Sequence, residues 1–402
     1  MCLKNNIFVI KLFLFFVLMV VLPSLVHGFF DASSLSLGIM IASAIVFFIV
    51  RKTSLPGQYF FIITIIFLVH YLISLTFFGF YKKSLFSLFA IFFLFYSAYQ
   101  LSNYVYDKKE AYVGFDRSVL YFLFFLIFIL FLALVSDFKF GGAFYNKNKP
   151  VFPFVEPSHA ALAIAPFFMF FLLRSGMILN FIVFFILMIF SITMHSFMLL
   201  IVSFSCYFLF GIKSRYKFHI LFFALILLLF FVFKNDYFYQ RLAVNIESSN
   251  LTALVYLQGL QDAFNALKKT NGFGLGFQML GYQTPSEAHY RILEVMGLNK
   301  DNPGINRYDG GFLAVKIIAE FGLMGILFIL FYIFTAFLVI IKIIKLQNSG
   351  IEKIEPIYVF SLVCFLSFAY ELFIRGVGYF SPGLFFFVFS VFYLRKNLYK
   401  IQ

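Results

Sequence analysis

Residues 118–136 read SVLYFLFFLIFILFLALVS, nineteen positions without a charged side chain. A helix advances about 1.5 Å per residue and the hydrocarbon layer is about 30 Å thick, so a run of this length reads as one membrane crossing. The same texture recurs near 7–26, 35–50, 58–79, 84–104, 158–174, 177–192, 194–211, 216–234, 318–343, 356–374 and 379–395. None of these runs shows the apolar/polar alternation of barrel strands, and all are longer than such strands need to be. The pattern therefore predicts an all-α, polytopic integral membrane protein with about 12 transmembrane helices. Within 177–211 it predicts a tight hairpin at Thr193–His195 rather than one long helix.

Composition agrees. Hydrophobic residues make up 63% of the chain and charged residues 12%, with Phe at 68 of 402 positions and no Trp. Too little polar surface remains for a water-soluble particle, so lipid is the solvent. The net charge of +14 does not indicate nucleic acid, because the basic residues sit at helix ends, where they set topology and meet anionic lipid. With both termini inside, 17 Lys and Arg fall at inner ends, against six (Lys82, Lys83, Lys139, Lys147, Lys149, Arg375) in short outer loops. The predicted organisation is helices 1–9 over 1–234, one large periplasmic loop over 235–310, and helices 10–12 over 311–402. Residues 1–28 carry signal-like features and are read as an uncleaved first span; Cys2, Cys206 and Cys364 have neither disulfide nor zinc spacing.

Polar chemistry gathers on the outer side. Glu156 precedes Pro157, which disfavours helical backbone at Glu156 and suits the first turn itself, so Glu156, Ser158 and His159 are held at the membrane boundary. Either Glu156 or His159 handles a proton or binds a polar head group there, or Glu156 simply caps the helix. In the long loop, residues 250–268 space Leu251, Leu254, Leu257, Leu260, Phe264 and Leu267 along one face, with Lys268 and Lys269 in the last turn. This predicts an amphipathic helix lying on the bilayer surface or roofing a cavity. Thr284-Pro285-Ser286-Glu287 reads as a capping box for a second helix from 285 to Met296, ending at Gly297. On it Glu287 and Arg291 are spaced to pair, and His289 is a candidate site residue.

Gly272-Phe273-Gly274-Leu275-Gly276 follows no strand and reads as a tight turn that brings backbone close to neighbouring helices. Asp309 is placed to cap the next helix, and Lys316 with Glu320, like Glu371 with Arg375, are four apart and suited to neutralise each other. His70, in mid-span, reads as an interhelical hydrogen-bond partner.

Taken in order, Glu156-Pro157-Ser158, Gly274-Leu275-Gly276-Phe277, Asp309-Gly310-Gly311-Phe312 with Lys316, Glu320-Phe321-Gly322 and Arg375-Gly376-Val377-Gly378-Tyr379-Phe380 resemble the Wzy-type O-antigen polymerases, relatives of the O-antigen ligases. The resemblance spans roughly residues 140–390. It implies a glycosyltransferase of the bacterial inner membrane with both termini cytoplasmic. Such an enzyme transfers a growing glycan, with inversion, from undecaprenyl pyrophosphate to the non-reducing end of a lipid-linked repeat on the periplasmic face. The implied partners are undecaprenyl-pyrophosphate-linked oligosaccharide, membrane lipid and a chain-length regulator protein. Arg241, Arg375 and Arg307 are the implied pyrophosphate ligands, since Arg matches phosphate with a fork of donors. Glu156, His159, Asp309 and His289 are the implied catalytic groups. No Asp-x-Asp pair is present, which fits a lipid donor with neither metal nor cofactor. The ligase branch looks to a His followed by Asn; here Tyr290 follows His289, which favours the polymerase. The alternatives are a ligase acting on lipid A core and a flippase of lipid-linked oligosaccharide.

Overall fold

A computed structural model describes residues 2–30, 34–50, 58–79, 81–107, 112–137, 151–212, 244–299 and 306–398, with isolated positions between 219 and 241. The described elements are all helical: α1 Cys2–Phe16, α2 Leu22–Phe29, α3 Ser36–Val50, α4 Gln58–Phe78, α5 Lys82–Asp107, α6 Tyr112–Val135 and α7 Pro157–Arg174. There follow α8 Met177–Thr193, α9 Phe197–Cys206, α10 Leu251–Lys269, α11 Glu287–Met296, α12 Leu313–Ser349, α13 Pro356–Phe373 and α14 Pro382–Leu398. A wide turn at Val17–Val21 joins α1 to α2, and another, Tyr207–Gly211, extends α9.

Seven of these stretches are long and apolar enough to cross a membrane, fewer than the twelve expected. The shortfall is one of length: Ser36–Val50, Met177–Thr193 and Phe197–Gly211 are apolar but under 18 residues, and α14 has 17. The expected span at 216–234 lies largely outside the described residues. Between α8 and α9 the chain does turn, with His195 at φ 48° and the Ser196 hydroxyl accepting from the Leu199 N–H.

Aromatic packing sets the centre. Phe16, Phe167, Phe360 and Phe386, from α1, α7, α13 and α14, meet with ring centroids 5.1–6.2 Å apart, in tilted and edge-on pairs. α7 and α13 are consequently sheathed on all sides, whereas α4 and the distal part of α12 turn most of their Phe, Ile and Leu outward, where a bilayer would solvate them. At its C-terminal end α7 is fastened by Arg174, which pairs with Asp116 at 3.2 Å and donates to the carbonyls of Ile351, Glu352 and Ile354. At 18 residues, α7 places that anchor about 27 Å from its N-terminal end at Pro157.

α12 is not one helix. It starts at Leu313, five residues before the expected span, and Gly322 breaks it with φ 59° and ψ −134°. The glycine-rich turn of the long loop fills that break: Leu275 N–H donates to Ala319 O (2.8 Å), Gly276 N–H to Glu320 O (2.9 Å), and Leu323 N–H to Gly272 O (2.8 Å). Backbone groups orphaned by the kink are thus satisfied by another segment. A Cβ on Gly274 would sit 2.5 Å from both Glu320 O and Gly322 N, so the approach requires glycine. The expected tight turn against neighbouring helices is therefore present.

The loop helices depart from expectation in detail. α10 begins at an Asn250 cap, but it buries Gln258, Gly259 and Asp262 and leaves Leu260 and Phe264 45% and 68% exposed. Its buried side combines these polar groups with Leu254, Val255 and Ala263, and its exposed side carries Asn265, Lys268 and Lys269 beside Leu260 and Phe264, so the apolar residues divide between the two sides. α11 starts at Glu287 with Ser286 in the cap position, so the Thr284 capping box does not form; Gly297 ends it in the left-handed conformation, as expected. Arg291 pairs with Glu294 at 2.7 Å rather than with Glu287.

Candidate functional site

Two charged groups meet where α7 begins and α13 ends. Glu156 occupies the cap position of α7, its backbone carbonyl receiving the His159 and Ala160 N–H groups. Its carboxylate does not cap the helix. It accepts from the Ser158 hydroxyl at 3.0 Å and from the Arg375 guanidinium at 3.1 Å, across 219 residues of sequence. Arg375 thus pairs with Glu156 and not with Glu371, whose carboxylate takes the Ser381 hydroxyl instead. Burial opposes ionisation of Glu156, but the Arg375 charge, the adjoining His159 and both hydrogen bonds outweigh it and draw the carboxyl down to about 2.

A second cluster lies beside the first. Asp309 does not cap α12; the cap position is Phe312. Its carboxylate receives the Lys316 ammonium at 3.1 Å, and the same ammonium donates to Tyr308 O at 2.6 Å. Lys316 lies 4.0 Å from Glu320, the longest of these contacts. Glu320, fully buried, accepts from the backbone N–H groups of Gln278 (2.9 Å) and Leu280 (3.2 Å) and from the Tyr379 hydroxyl (2.9 Å). The two clusters share the 375–379 turn: Gly376 N–H donates to Gly311 O at 2.9 Å, and a Cβ on Gly378 would lie 2.8 Å from the Asp309 carboxylate. Burial works against the Asp309 charge, yet Lys316, Lys83 and Arg375 together hold its carboxyl below the usual range. Burial, then the neighbouring Glu320, pushes the Tyr379 phenol well up, so it stays a donor.

Tyr379 also lines an apolar cavity of about 430 Å³. Its walls come from α4 and α5 (Phe67, Phe95), α12 (Phe321, Met324, Leu327, Phe331) and α14 (Phe387). Leu327 and Phe331 are 59% and 68% exposed, so the cavity reaches the outer surface of the bundle. The volume is within the range of small-molecule sites, and the lining is almost wholly apolar.

Of the residues singled out in the sequence, Glu156, His159, Asp309 and Arg375 come together here. Arg307 does not bond to them: it donates to Gln283 O at 2.8 Å and lies near Asp262 within the loop. Arg241 is half-buried ahead of the loop helices. His289 is fully buried on the inner face of α11, among residues packed on α10, not on a surface a substrate meets. His70 bonds the carbonyl of Ile66 on its own helix and packs at a tilt on the Phe321 ring, 4.6 Å between centroids, and its backbone carbonyl receives Phe277 N–H. Sequence reasoning missed Tyr379, Ser158 as a ligand of Glu156, and Lys83, which lies 4.8 Å over the Tyr308 ring. Lys82 and Lys83 beginning a span were the available signal for the last. Comparison with family models, with curated proteins and with solved structures returns no match.

Proposed function

We propose that the chain is an O-antigen polymerase of the Wzy type, transferring a growing glycan from undecaprenyl pyrophosphate to the non-reducing end of a lipid-linked repeat at the periplasmic face. One observation carries this reading: a cluster of paired cations and carboxylates adjoins, through Tyr379, an apolar cavity that reaches the lipid-facing surface. A substrate with a polyprenyl tail and a charged, sugar-bearing head needs that juxtaposition, because the tail cannot leave the bilayer.

In the reaction the acceptor hydroxyl attacks the anomeric carbon, its proton goes to a base, and the bond to pyrophosphate breaks with inversion. Arg375 and Lys316 are placed to neutralise the departing pyrophosphate, with Arg241 and Arg307 as further cations on the loop side. Glu156 and Asp309 are held ionised by cations, which makes them weak bases and better suited to ordering Arg375 and Lys316 and to accepting sugar hydroxyls. His159, next to Glu156, is the assigned base.

Replacing Arg375, Glu156, Lys316 and His159 singly by Ala in the native host and resolving surface polysaccharide on a gel tests this. Loss of the long-chain ladder, leaving core with a single repeat, is the expected result. Normal ladders in all four with the protein present would refute the assignment; bare core with accumulated lipid-linked polymer would point to a ligase.

A further inference from the structure

Beside His159 lies a small cavity of about 20 Å³. Ser24 of α2, Ala163 of α7 and Gly383 of α14 line it together with His159 and Glu371. The His159 Nδ1 atom is buried with no hydrogen-bond partner among the described residues. Glu371 is 3% exposed; its carboxylate accepts the Ser381 hydroxyl at 2.5 Å and lies directly against Gly383, in the first turn of α14. A carboxylate has about four acceptor positions, so acceptor capacity remains. A cavity of this size holds one water, and a buried water needs two to four polar partners, which His159, Glu371 and Ser24 supply. A buried ring nitrogen and a buried carboxylate facing one water-sized space are costly unless that water is there.

We infer that Glu371 is a positioning residue for His159, acting through a single buried water that accepts from His159 Nδ1–H and donates to the Glu371 carboxylate. The inference rests on the polymerase reading for what His159 does, but not for the bridge itself. The direction of the bridge decides the chemistry. With its proton fixed on Nδ1, His159 presents a bare Nε2, the nitrogen free to take the proton of an acceptor hydroxyl. On transfer Nε2 gains that proton, Nδ1 keeps its own, and the imidazolium is balanced through the water by Glu371. Of the other charged groups that act on His159, Glu156 and Arg375 stand at the α7 terminus and His27 on α2. This gives Glu371 a task beyond capping α14, and explains why it does not pair with Arg375 four residues on.

The test needs no substrate. In purified protein labelled with ¹⁵N-histidine, the His159 resonances, assigned by their loss in H159Q, report which ring nitrogen bears the proton. The wild-type protein is expected in the Nδ1–H form. Glu371→Gln, which keeps an acceptor, should retain it, whereas Glu371→Leu should move the ring to the Nε2–H form. Ala163→Val fills the cavity without touching a polar group and should give the same change, so failure of Glu371→Leu to fold does not shield the inference. Unchanged tautomer populations in Ala163→Val and Glu371→Leu, or an Nε2–H wild type, overturn it. In the host, the variants that shift the tautomer should lower long-chain polymer about tenfold or more, within the range of general-base effects. A tautomer shift with normal ladders upholds the bridge and removes His159 as the polymerase base, so the two failures are distinct.

Discussion

At the scale of single residues, charge and burial act in opposite directions at two carboxylates. Glu156 is drawn to about 2 from an ordinary 4.5, so its ion pair contributes stability above pH 4.5 that is lost as the pH falls toward 2. Because the side chain is 42% exposed, solvent screening limits the effect to about 1 kcal/mol or less. Thermal unfolding in detergent across pH 2–6 should show that loss, and Glu156→Gln should flatten it. Asp262 behaves the other way. Burial comes first, Ser286 and Arg307 offset it only in part, and the carboxyl sits at about 6 against 3.8 in an unfolded chain. The folded state therefore holds the proton more tightly, and stability falls as the pH rises from about 4 to 6. Asp262→Asn should remove that fall and stabilise the protein at pH 7 by up to about 3 kcal/mol, read as a higher melting temperature. Partners were the poorly legible part at this scale. Spacing suggests Glu371 for Arg375 and Glu287 for Arg291, since neighbours on a helix are visible in a linear chain. Glu156, 219 residues away, is not.

At the scale of elements, the break in α12 and the turn that fills it form one unit. Gly322 occupies a left-handed conformation with another backbone against its Cα, and Gly274 is its counterpart across the contact. Gly322→Ala and Gly274→Ala should each destabilise by roughly 3 kcal/mol or more, since strain and a lost backbone hydrogen bond add. The expected observation is a lower melting temperature in detergent and faster proteolysis within the 272–323 region for both variants. Sequence reading recognised each glycine cluster and the closeness of backbone at 272–276. It could not show that they dock on each other, because nothing local to either names the partner. For α10 the period was legible and the buried face was not: Leu254 packs inward, whereas Leu260 and Phe264, read onto the same face, are exposed.

At the scale of the whole molecule, the buried central helices are held at opposite ends by different means. One end of α7 carries the Glu156–Arg375 pair; the other carries Arg174, 8% exposed, with Asp116 and three carbonyls of the 351–354 turn around it. Arg174→Ala would leave Asp116 and those carbonyls unpaired, at about 3 kcal/mol. Arg174→Lys should recover only part, since one ammonium cannot reproduce a planar fork serving four acceptor groups. Both are measured by thermal unfolding in detergent, with correctly folded yield as a second readout. Such loss should lower polymer output through protein level alone, which separates it from a defect at Arg375.

Hydropathy and capping were sufficient, without coordinates, to establish a helical membrane protein and many helix ends: Pro157 and Pro356 as starts, Gly297 as a stop, and the turn between α8 and α9. These depend on a residue's own backbone preferences and its transfer into lipid, which are local properties. Only the folded chain decided that four separated motifs converge on the 375–379 turn, that α12 is broken and filled by a loop, and that His159 faces Glu371 across a water-sized space. Each of those depends on which distant surface packs where. Hydrophobic burial in lipid is too unspecific to dictate that, and close-packed aromatic side chains and buried hydrogen bonds settle it.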